Sequence, residues 1–145
     1  MLLDIDALPS VEMDFMNEVH QEDIEIINNL FEALLAYEHA PDTVHAFKVS
    51  TLFETWYTHT ISHFEGEELK MREMGFPPYM MHKGEHDRTL AHMKMLLDQW
   101  KQTHEVKPLK IYLIEELPHW LTSHILTMDT VTARFFKTGI SPCGI

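Results

Sequence analysis

The stretch HFEGEELKM, residues 63–71, carries a histidine and a carboxylate whose spacing could form part of a metal site. His63 and Glu67 are four residues apart, so a helix places them on the same face. The same spacing also suits a solvated charged pair on a helix surface. The pair alone leaves both interpretations open, and the rest of the chain must decide between them.

Two further stretches carry residue types that commonly bind metals. His82 and His86 in HKGEH place two imidazoles on one helix face, a frequent metal-binding arrangement. His124 and Asp129 in HILTMD are five residues apart, about 140° around a straight α-helix. Asp129 must therefore reach sideways, or the helix must widen there into a π-type turn. His20 is a lone histidine on a mostly apolar face, which by itself is more typical of a core residue.

Proline, glycine and capping residues mark the first two predicted helices. Apolar side chains recur at helical spacing over about residues 12 to 37, and Pro41 prevents that helix from continuing. Asp42 or Thr43 is a suitable cap for the second helix, which ends at Gly75 in GFPP. The apolar positions of the first helix are Phe15, Val19, Ile26, Ile27, Leu30, Leu34 and Leu35.

A third helix is predicted over about residues 78 to 103 and a fourth over about residues 109 to 137. Pro118 lies well inside the fourth helix and removes a backbone hydrogen bond. We expect a kink there, or a helix that starts afresh just ahead of His119. Four helices of this length with short links predict an all-α, up-down-up-down antiparallel four-helix bundle.

Each predicted helix contributes at least one metal-binding side chain, and inward side chains of an antiparallel bundle meet at a common level. Five imidazoles and two carboxylates suit a pair of iron ions, because carboxylates can bridge two metals and imidazoles can fill terminal positions. Once a shared solvent-derived bridge is included, one iron remains short of six ligands, and a small molecule can occupy that position. The seven candidate ligands are His20, His63, Glu67, His82, His86, His124 and Asp129.

Length and charge narrow the range of functions. A chain of 145 residues with 45% hydrophobic residues predicts one domain, residues 1–145, with an amino-terminal arm of about 1–11 and a carboxyl-terminal tail of about 138–145. The formal charge of −12 disfavours nucleic acid and anionic lipid surfaces as partners. The sequence contains no 18-residue apolar run and no signal-like leader, so we expect a cytoplasmic protein without membrane insertion. We also expect a monomer, with a protein partner as the alternative, and a free thiol at Cys143.

The motifs NEVHQED, HFEGEE, HKGEH and HILTMD, in this order, resemble the ligand pattern of the hemerythrins, especially the bacterial single-domain members. The resemblance covers about residues 14–136 and implies an oxo- or hydroxo-bridged pair of iron ions. It implies that His82, His86 and His124 hold one iron, that His20 and His63 hold the other, and that Glu67 and Asp129 bridge them. Dioxygen would then bind at the iron with fewer histidines.

The resemblance also implies an apolar pocket for dioxygen beside the irons. Apolar residues at these positions are equally expected in the core, and both roles are compatible, because such a pocket is a piece of core with a small void. Its dryness matters, since water and protons promote the loss of bound oxygen as peroxide. The residues at the pocket positions are Ile24, Phe64, Trp120, Leu121 and Ile125.

We therefore predict reversible dioxygen binding by a carrier, store or local supplier rather than an enzyme. Sensing of oxygen or nitric oxide through a partner protein is an alternative. HKGEH also fits the H-x-x-E-H pattern of a zinc peptidase class, but that function leaves the other histidines unused. A ferritin-like di-iron oxidase needs two Glu-x-x-His motifs, and the chain offers one, Glu116 with His119. His59, one turn before His63, is expected not to be a ligand.

Overall fold

The computed structural model of the protein describes residues 14–138, which form helices joined by short turns and contain no strand. The first three helices are α1 (Asp14–His39), α2 (Thr43–Met74) and α3 (Tyr79–Thr103). The predicted arm, tail and Cys143 lie outside the described residues, as do the side chains of Phe15 and Val19.

The rest of the described chain is one helical run with two wider turns inside it. The backbone is right-handed helical at each junction that bounds these turns, so the run is continuous. We call it the fourth helical run. Its segments are α4 (Val106–Ile111), the π-helical turn π1 (Tyr112–Glu116), α5 (Leu117–His124), the π-helical turn π2 (Ile125–Asp129) and α6 (Thr130–Thr138).

Neighbouring helices are antiparallel, because residues late in one helix contact residues early in the next. The predicted four-helix bundle is therefore confirmed. The pairs that establish the order are Asp23 with His59, Ser50 with Trp100, Glu68 with His86, His82 with Thr132, His92 with Glu116, Glu38 with Lys110 and His20 with Asp129.

The predicted ends of α2 are confirmed by their capping geometry. Asp42 has extended backbone angles, and its Oδ1 accepts a hydrogen bond from the His45 amide over 2.8 Å. Gly75 adopts the left-handed conformation, with φ 65° and ψ 38°. The Phe76 amide then donates to the Met71 carbonyl over 2.9 Å, which closes the helix end. A tight turn into α3 follows directly.

Pro118 does not interrupt the fourth helical run. A proline ring clashes with the carbonyl four residues earlier, which here belongs to Ile114. The turn π1 comes directly before it, and the Leu117 amide donates to the Tyr112 carbonyl, five residues back. α5 then begins at Leu117, so Pro118 lies in a first helical turn, where a missing N–H is tolerated. The expected fresh start ahead of His119 is not found, because the backbone remains helical before Pro118 and the wide turn accommodates the proline ring.

The apolar positions of the first helix differ in how far they are buried. Leu34 is fully buried, but Leu35 is 39% exposed. Successive residues of an α-helix are about 100° apart, so two adjacent side chains cannot both point at the centre of a narrow core face. Ile27 and Leu30 are buried, and Ile26 is half-buried.

The apolar core consists of two clusters with the candidate ligands between them. Along every helix, the ligand positions separate residues of one cluster from residues of the other. The larger cluster includes Ile27, Leu30, Phe53, Trp56, Met93, Trp100, Leu113 and Leu117. The smaller cluster consists of Met16, Met71, Phe76, Ile125, Ala133, Phe135 and Phe136. Apolar packing on both sides thus encloses a polar layer across the bundle.

Candidate metal centre

The polar layer brings all seven candidate ligands together. His82 and His86 are fully buried, and Glu67 and Asp129 are each 1% exposed. Two overlapping sets of nitrogen and oxygen atoms are close enough to surround a metal ion. One set is Glu67, His82, His86, His124 and Asp129, and the other is His20, His63 and Glu67. We call His82, His86 and His124 the three-histidine group, and His20 and His63 the two-histidine group.

Glu67 lies between the two groups. Its Oε2 is 3.0 Å from His63 Nε2, in the two-histidine group. Its Oε1 is 3.3 Å from His86 Nε2 and 3.7 Å from His82 Nε2, both in the three-histidine group. One carboxylate therefore presents a separate oxygen to each half of the site.

Asp129 repeats this arrangement from the opposite side of the bundle. Its Oδ2 is 2.9 Å from His20 Nε2. Its Oδ1 is 2.9 Å from His124 Nε2 and 3.1 Å from His82 Nε2. Two carboxylates that each span the same two groups of imidazoles are suited to bridge two adjacent metal ions.

The turn π2 places Asp129 on the face of His124. The Thr130 amide bonds to the Ile125 carbonyl, five residues back, and Thr130 Oγ1 also donates to that carbonyl over 2.6 Å. A turn closed over five residues brings residues five apart nearly into line. The predicted local widening of the helix is thus confirmed, and Asp129 reaches the centre without a sideways side chain.

Four of the five imidazoles direct Nδ1 away from the centre, to a partner on another helix. Such outer partners fix the ring orientation and tautomer of a metal-binding histidine, which leaves Nε2 free to face the metal. Sequence reasoning missed these partners. The contacts are His63 with Asp23 at 2.9 Å, His82 with Thr132 at 2.8 Å, His86 with Glu68 at 3.0 Å, and His124 with Glu85 at 2.6 Å.

Among the described residues, three buried side-chain atoms have no hydrogen-bond partner, and all belong to candidate ligands: His20 Nδ1, His86 Nε2 and Glu67 Oε1. The last two face the centre and lie 3.3 Å apart but are not aligned for a hydrogen bond. Buried polar atoms in proteins are nearly always paired, so an unpaired nitrogen and oxygen that face one another need an explanation. A metal ion between them would satisfy both, and in this respect the residues fit a bound metal.

The charges at the centre also favour cations. Burial and the neighbouring Asp129 act to raise the pKa of Glu67, but the imidazoles of His63 and His86 together outweigh both and lower that pKa to about 2. Burial would lower the pKa of His124, but Asp129 and Glu85 raise it to about 9. Without metal, the buried carboxylates are thus ionised and are balanced by protonated imidazoles. Metal ions can take over this role if the imidazoles release their protons.

A small cavity of about 30 Å³ adjoins the two-histidine group. Four of the five predicted pocket residues line it, namely Phe64, Trp120, Leu121 and Ile125. Ile24 does not line it and instead packs in the larger apolar cluster. Ile27, nearly one helical turn further on, contributes to the wall instead. The prediction chose the neighbouring position on the same helix face.

Two aromatic rings stack directly on imidazoles of the three-histidine group. The ring centroids of Phe64 and His86 are 3.7 Å apart and the rings are nearly parallel, at 3°. Trp120 stacks on His124 at 4.6 Å and 10°. These contacts restrict rotation of the imidazoles and keep apolar surface against the centre.

The side chains of the competing motifs are engaged elsewhere. Glu85, the glutamate of the H-x-x-E-H pattern, contacts His124 Nδ1 over 2.6 Å and so serves as an outer partner of that imidazole. Glu116 and His119 are both exposed on the surface of the bundle. His59 contacts Asp23 and Glu22, and it belongs to neither set of metal-binding atoms found among residues 14–138.

A helical bundle with a buried layer of imidazoles and carboxylates defines a cation-binding helical domain, and comparison with known proteins agrees. The model of the hemerythrin family, described as a hemerythrin HHE cation binding domain, matches residues 12–135. The chain belongs to the hemerythrin family.

Two curated relatives bear the name bacteriohemerythrin. The protein from Aquifex aeolicus (strain VF5) is 33% identical over 120 residues, 83% of this chain and 86% of the relative. The protein from Ralstonia nicotianae (strain ATCC BAA-1114 / GMI1000) is 33% identical over 88 residues, 61% of this chain and 62% of the relative. No solved structure gives a significant match. Among the described helices, none has the length and apolar character needed to span a membrane.

Proposed function

We propose that the protein binds two iron ions per chain and uses them to hold dioxygen reversibly, as a carrier, store or local supplier. The observation that carries this proposal is the position of Glu67 and Asp129. Each carboxylate offers one oxygen to the two-histidine group and the other oxygen to the three-histidine group. This arrangement suits a bridged pair of metals better than a single metal.

The unequal number of imidazoles determines where a small molecule can bind. The three-histidine group supplies one more nitrogen than the two-histidine group, so the open position falls to the metal beside His20 and His63. The cavity is lined by both of these residues but by only one member of the three-histidine group, His124, which supports the same assignment. When bound in the ferrous state, the pair of irons supplies the two electrons needed to hold dioxygen reversibly.

The residues around the cavity favour reversible binding of dioxygen over oxidation of a substrate. Phe64 and Ile125 are buried, and with the half-buried Leu121 they present apolar surface that limits the space for water. Carboxylate-rich sites stabilise high-valent iron better than sites dominated by neutral imidazoles. Five imidazoles with only two carboxylates therefore suit reversible binding better than oxidation of a substrate.

The proposal is tested by metal analysis of the purified protein combined with visible spectra of the reduced form. We expect two irons per chain and a charge-transfer band that develops when dioxygen is admitted and disappears when it is withdrawn. A single zinc ion per chain and no visible band would contradict the proposal and would favour a hydrolytic zinc site.

A further inference from the structure

The outer contact of His63 continues to the protein surface. His63 Nδ1 donates to Asp23 Oδ2 over 2.9 Å, and the other oxygen of Asp23 lies 2.7 Å from His59 Nδ1. His59 Nε2 lies 3.0 Å from Glu22 Oε2. The side-chain exposure rises along this series from 7% at His63 to 61% at Glu22. A connected row of four side chains thus joins a candidate ligand to solvent.

Asp23 is held at both of its oxygens by imidazoles. A carboxylate with only one partner can rotate about its terminal torsion, which is broad. Rotation of Asp23 would break the 2.7 Å contact with His59. His59 is itself held between Asp23 and Glu22, which lie on α1 while His59 lies on α2. The orientation of Asp23 is therefore fixed from outside the metal centre.

A fixed Asp23 has a specific consequence for His63. It keeps the proton on Nδ1, so Nε2 faces the centre as a lone-pair donor, and the adjacent carboxylate makes the imidazole a stronger donor. His63 belongs to the two-histidine group, which has one imidazole fewer than the other group. Loss of orientation at His63 removes a larger share of the protein ligands there than the same loss would remove in the three-histidine group.

We propose that His59 is a positioning residue that acts through Asp23 on His63 and selectively strengthens iron binding in the two-histidine group. This inference rests on the proposed function, because it takes His63 to be an iron ligand. It assigns a role to a histidine that lies outside both sets of metal-binding atoms.

The test measures the affinity for each of two ferrous ions under anaerobic conditions, by competition with a chelator. Outer partners of metal ligands typically contribute about 10- to 100-fold in metal affinity. Because His59 is one contact further out, we expect His59→Ala to lower the affinity for one of the two irons by about 3- to 10-fold. His59→Asn should largely restore the affinity, because its amide nitrogen can replace Nδ1 as the donor to Asp23. The affected iron should be the one whose binding His63→Ala abolishes.

A matched control separates positioning from a general loss of histidine. His92→Ala also removes an imidazole near a carboxylate, since His92 Nε2 lies 3.6 Å from Glu116 Oε2. His92 is 42% exposed, and its contacts are with Glu116 and Tyr112 rather than with a candidate ligand. We expect it to leave both affinities unchanged. In the zinc-loaded protein, the ¹⁵N NMR signal of His63 Nδ1 should shift in His59→Ala and return toward the parent value in His59→Asn.

Three results of the variant comparison would overturn the inference. These are unchanged affinities in His59→Ala, equal weakening of both irons, and an Asn variant that is as weak as the Ala variant. A parent protein that takes up only one metal would also overturn it, because the two-histidine group would then hold none. If two irons bind but dioxygen produces no reversible band, the proposed function fails while the affinity comparison still decides the role of His59.

Discussion

The cavity beside the two-histidine group allows a test of whether its apolar wall protects bound dioxygen. Ile125 is 1% exposed, lines the cavity and follows the candidate ligand His124. Ile125→Ala removes three carbons, a loss of about 2.4 kcal/mol at about 0.8 kcal/mol for each buried methylene. The void left behind adds to this, and measured values for such truncations run from about 2 to 5 kcal/mol. A loss of about 3 kcal/mol should lower Tm by about 6 to 12 °C.

The functional effect depends on water. A cavity needs about 10–15 Å³ for one water molecule, together with two or more polar partners. The present cavity of about 30 Å³ is bordered by Asp23 and Thr60 as well as by imidazoles, so polar partners are available. The cavity therefore already has room for a water molecule, and the space added in Ile125→Ala should admit further water. Bound dioxygen should then be lost irreversibly faster than in the parent.

Leu30→Ala is the matched control for this prediction. Leu30 is fully buried, loses the same number of carbons and belongs to the larger apolar cluster without lining the cavity. The assay follows the decay of the dioxygen-dependent band in air, at a temperature where both variants are folded. Faster decay in Ile125→Ala alone is expected. Equal decay rates in the two variants and the parent would refute the protective role of Ile125 and leave it as ordinary core.

Three other predictions concern the ligands, the helix ends and the protons. His86→Ala should lose at least one iron, whereas alanine at the exposed His119 should keep two, and equal losses in both would contradict the ligand assignment. Gly75→Ala should lower the unfolding free energy by about 1–2 kcal/mol, because the φ of Gly75 is 65°. Gly66→Ala should raise the unfolding free energy by about 0.5–1 kcal/mol, because Gly66 is an exposed helical residue and its new Cβ would have nothing within 4 Å. Chemical denaturation of both variants measures the difference. Because the pKa of His124 is raised to about 9, metal uptake at neutral pH must displace its proton, and metal affinity should increase as pH rises toward 9. Calorimetry in buffers of different ionisation enthalpy should detect the released protons. A metal affinity that does not change between about pH 6 and about pH 9 would contradict this prediction.

Local signals in the sequence were sufficient to predict the helix ends and to predict that the candidate ligands lie close together. Pro41, Asp42 and Gly75 act through their own backbone, so their effects do not depend on distant parts of the chain. The ligand motifs also lie within single helices, and an antiparallel bundle with short links leaves few ways to align them. The need for a wide turn before Asp129 followed from spacing alone.

The outer partners could not be predicted in the same way. Glutamate side chains are mostly exposed in proteins, and nothing in the local sequence distinguishes Glu68 or Glu85 from exposed glutamates. Their partners lie 18 and 39 residues away on other helices, so their burial depends on how the helices are rotated in the bundle. The same uncertainty explains why Ile24 was chosen for the cavity where Ile27 lies, since periodicity identifies a face but not the depth of each residue along it.

The turn π2 bears on how ligand motifs are compared between helices. A turn closed over five residues is an α-helical turn that has gained one residue while the helix on either side continues. His124 and Asp129 therefore correspond in space to His63 and Glu67, because in each pair the carboxylate contacts the imidazole on the same helix face. The only difference in spacing is one residue inserted between His124 and Asp129. A search for histidine and carboxylate at a fixed spacing of four finds one pair and misses the other, although both present a carboxylate to the same centre. Spacing in the sequence counts residues along the chain, whereas metal binding depends on the positions of the ligand atoms.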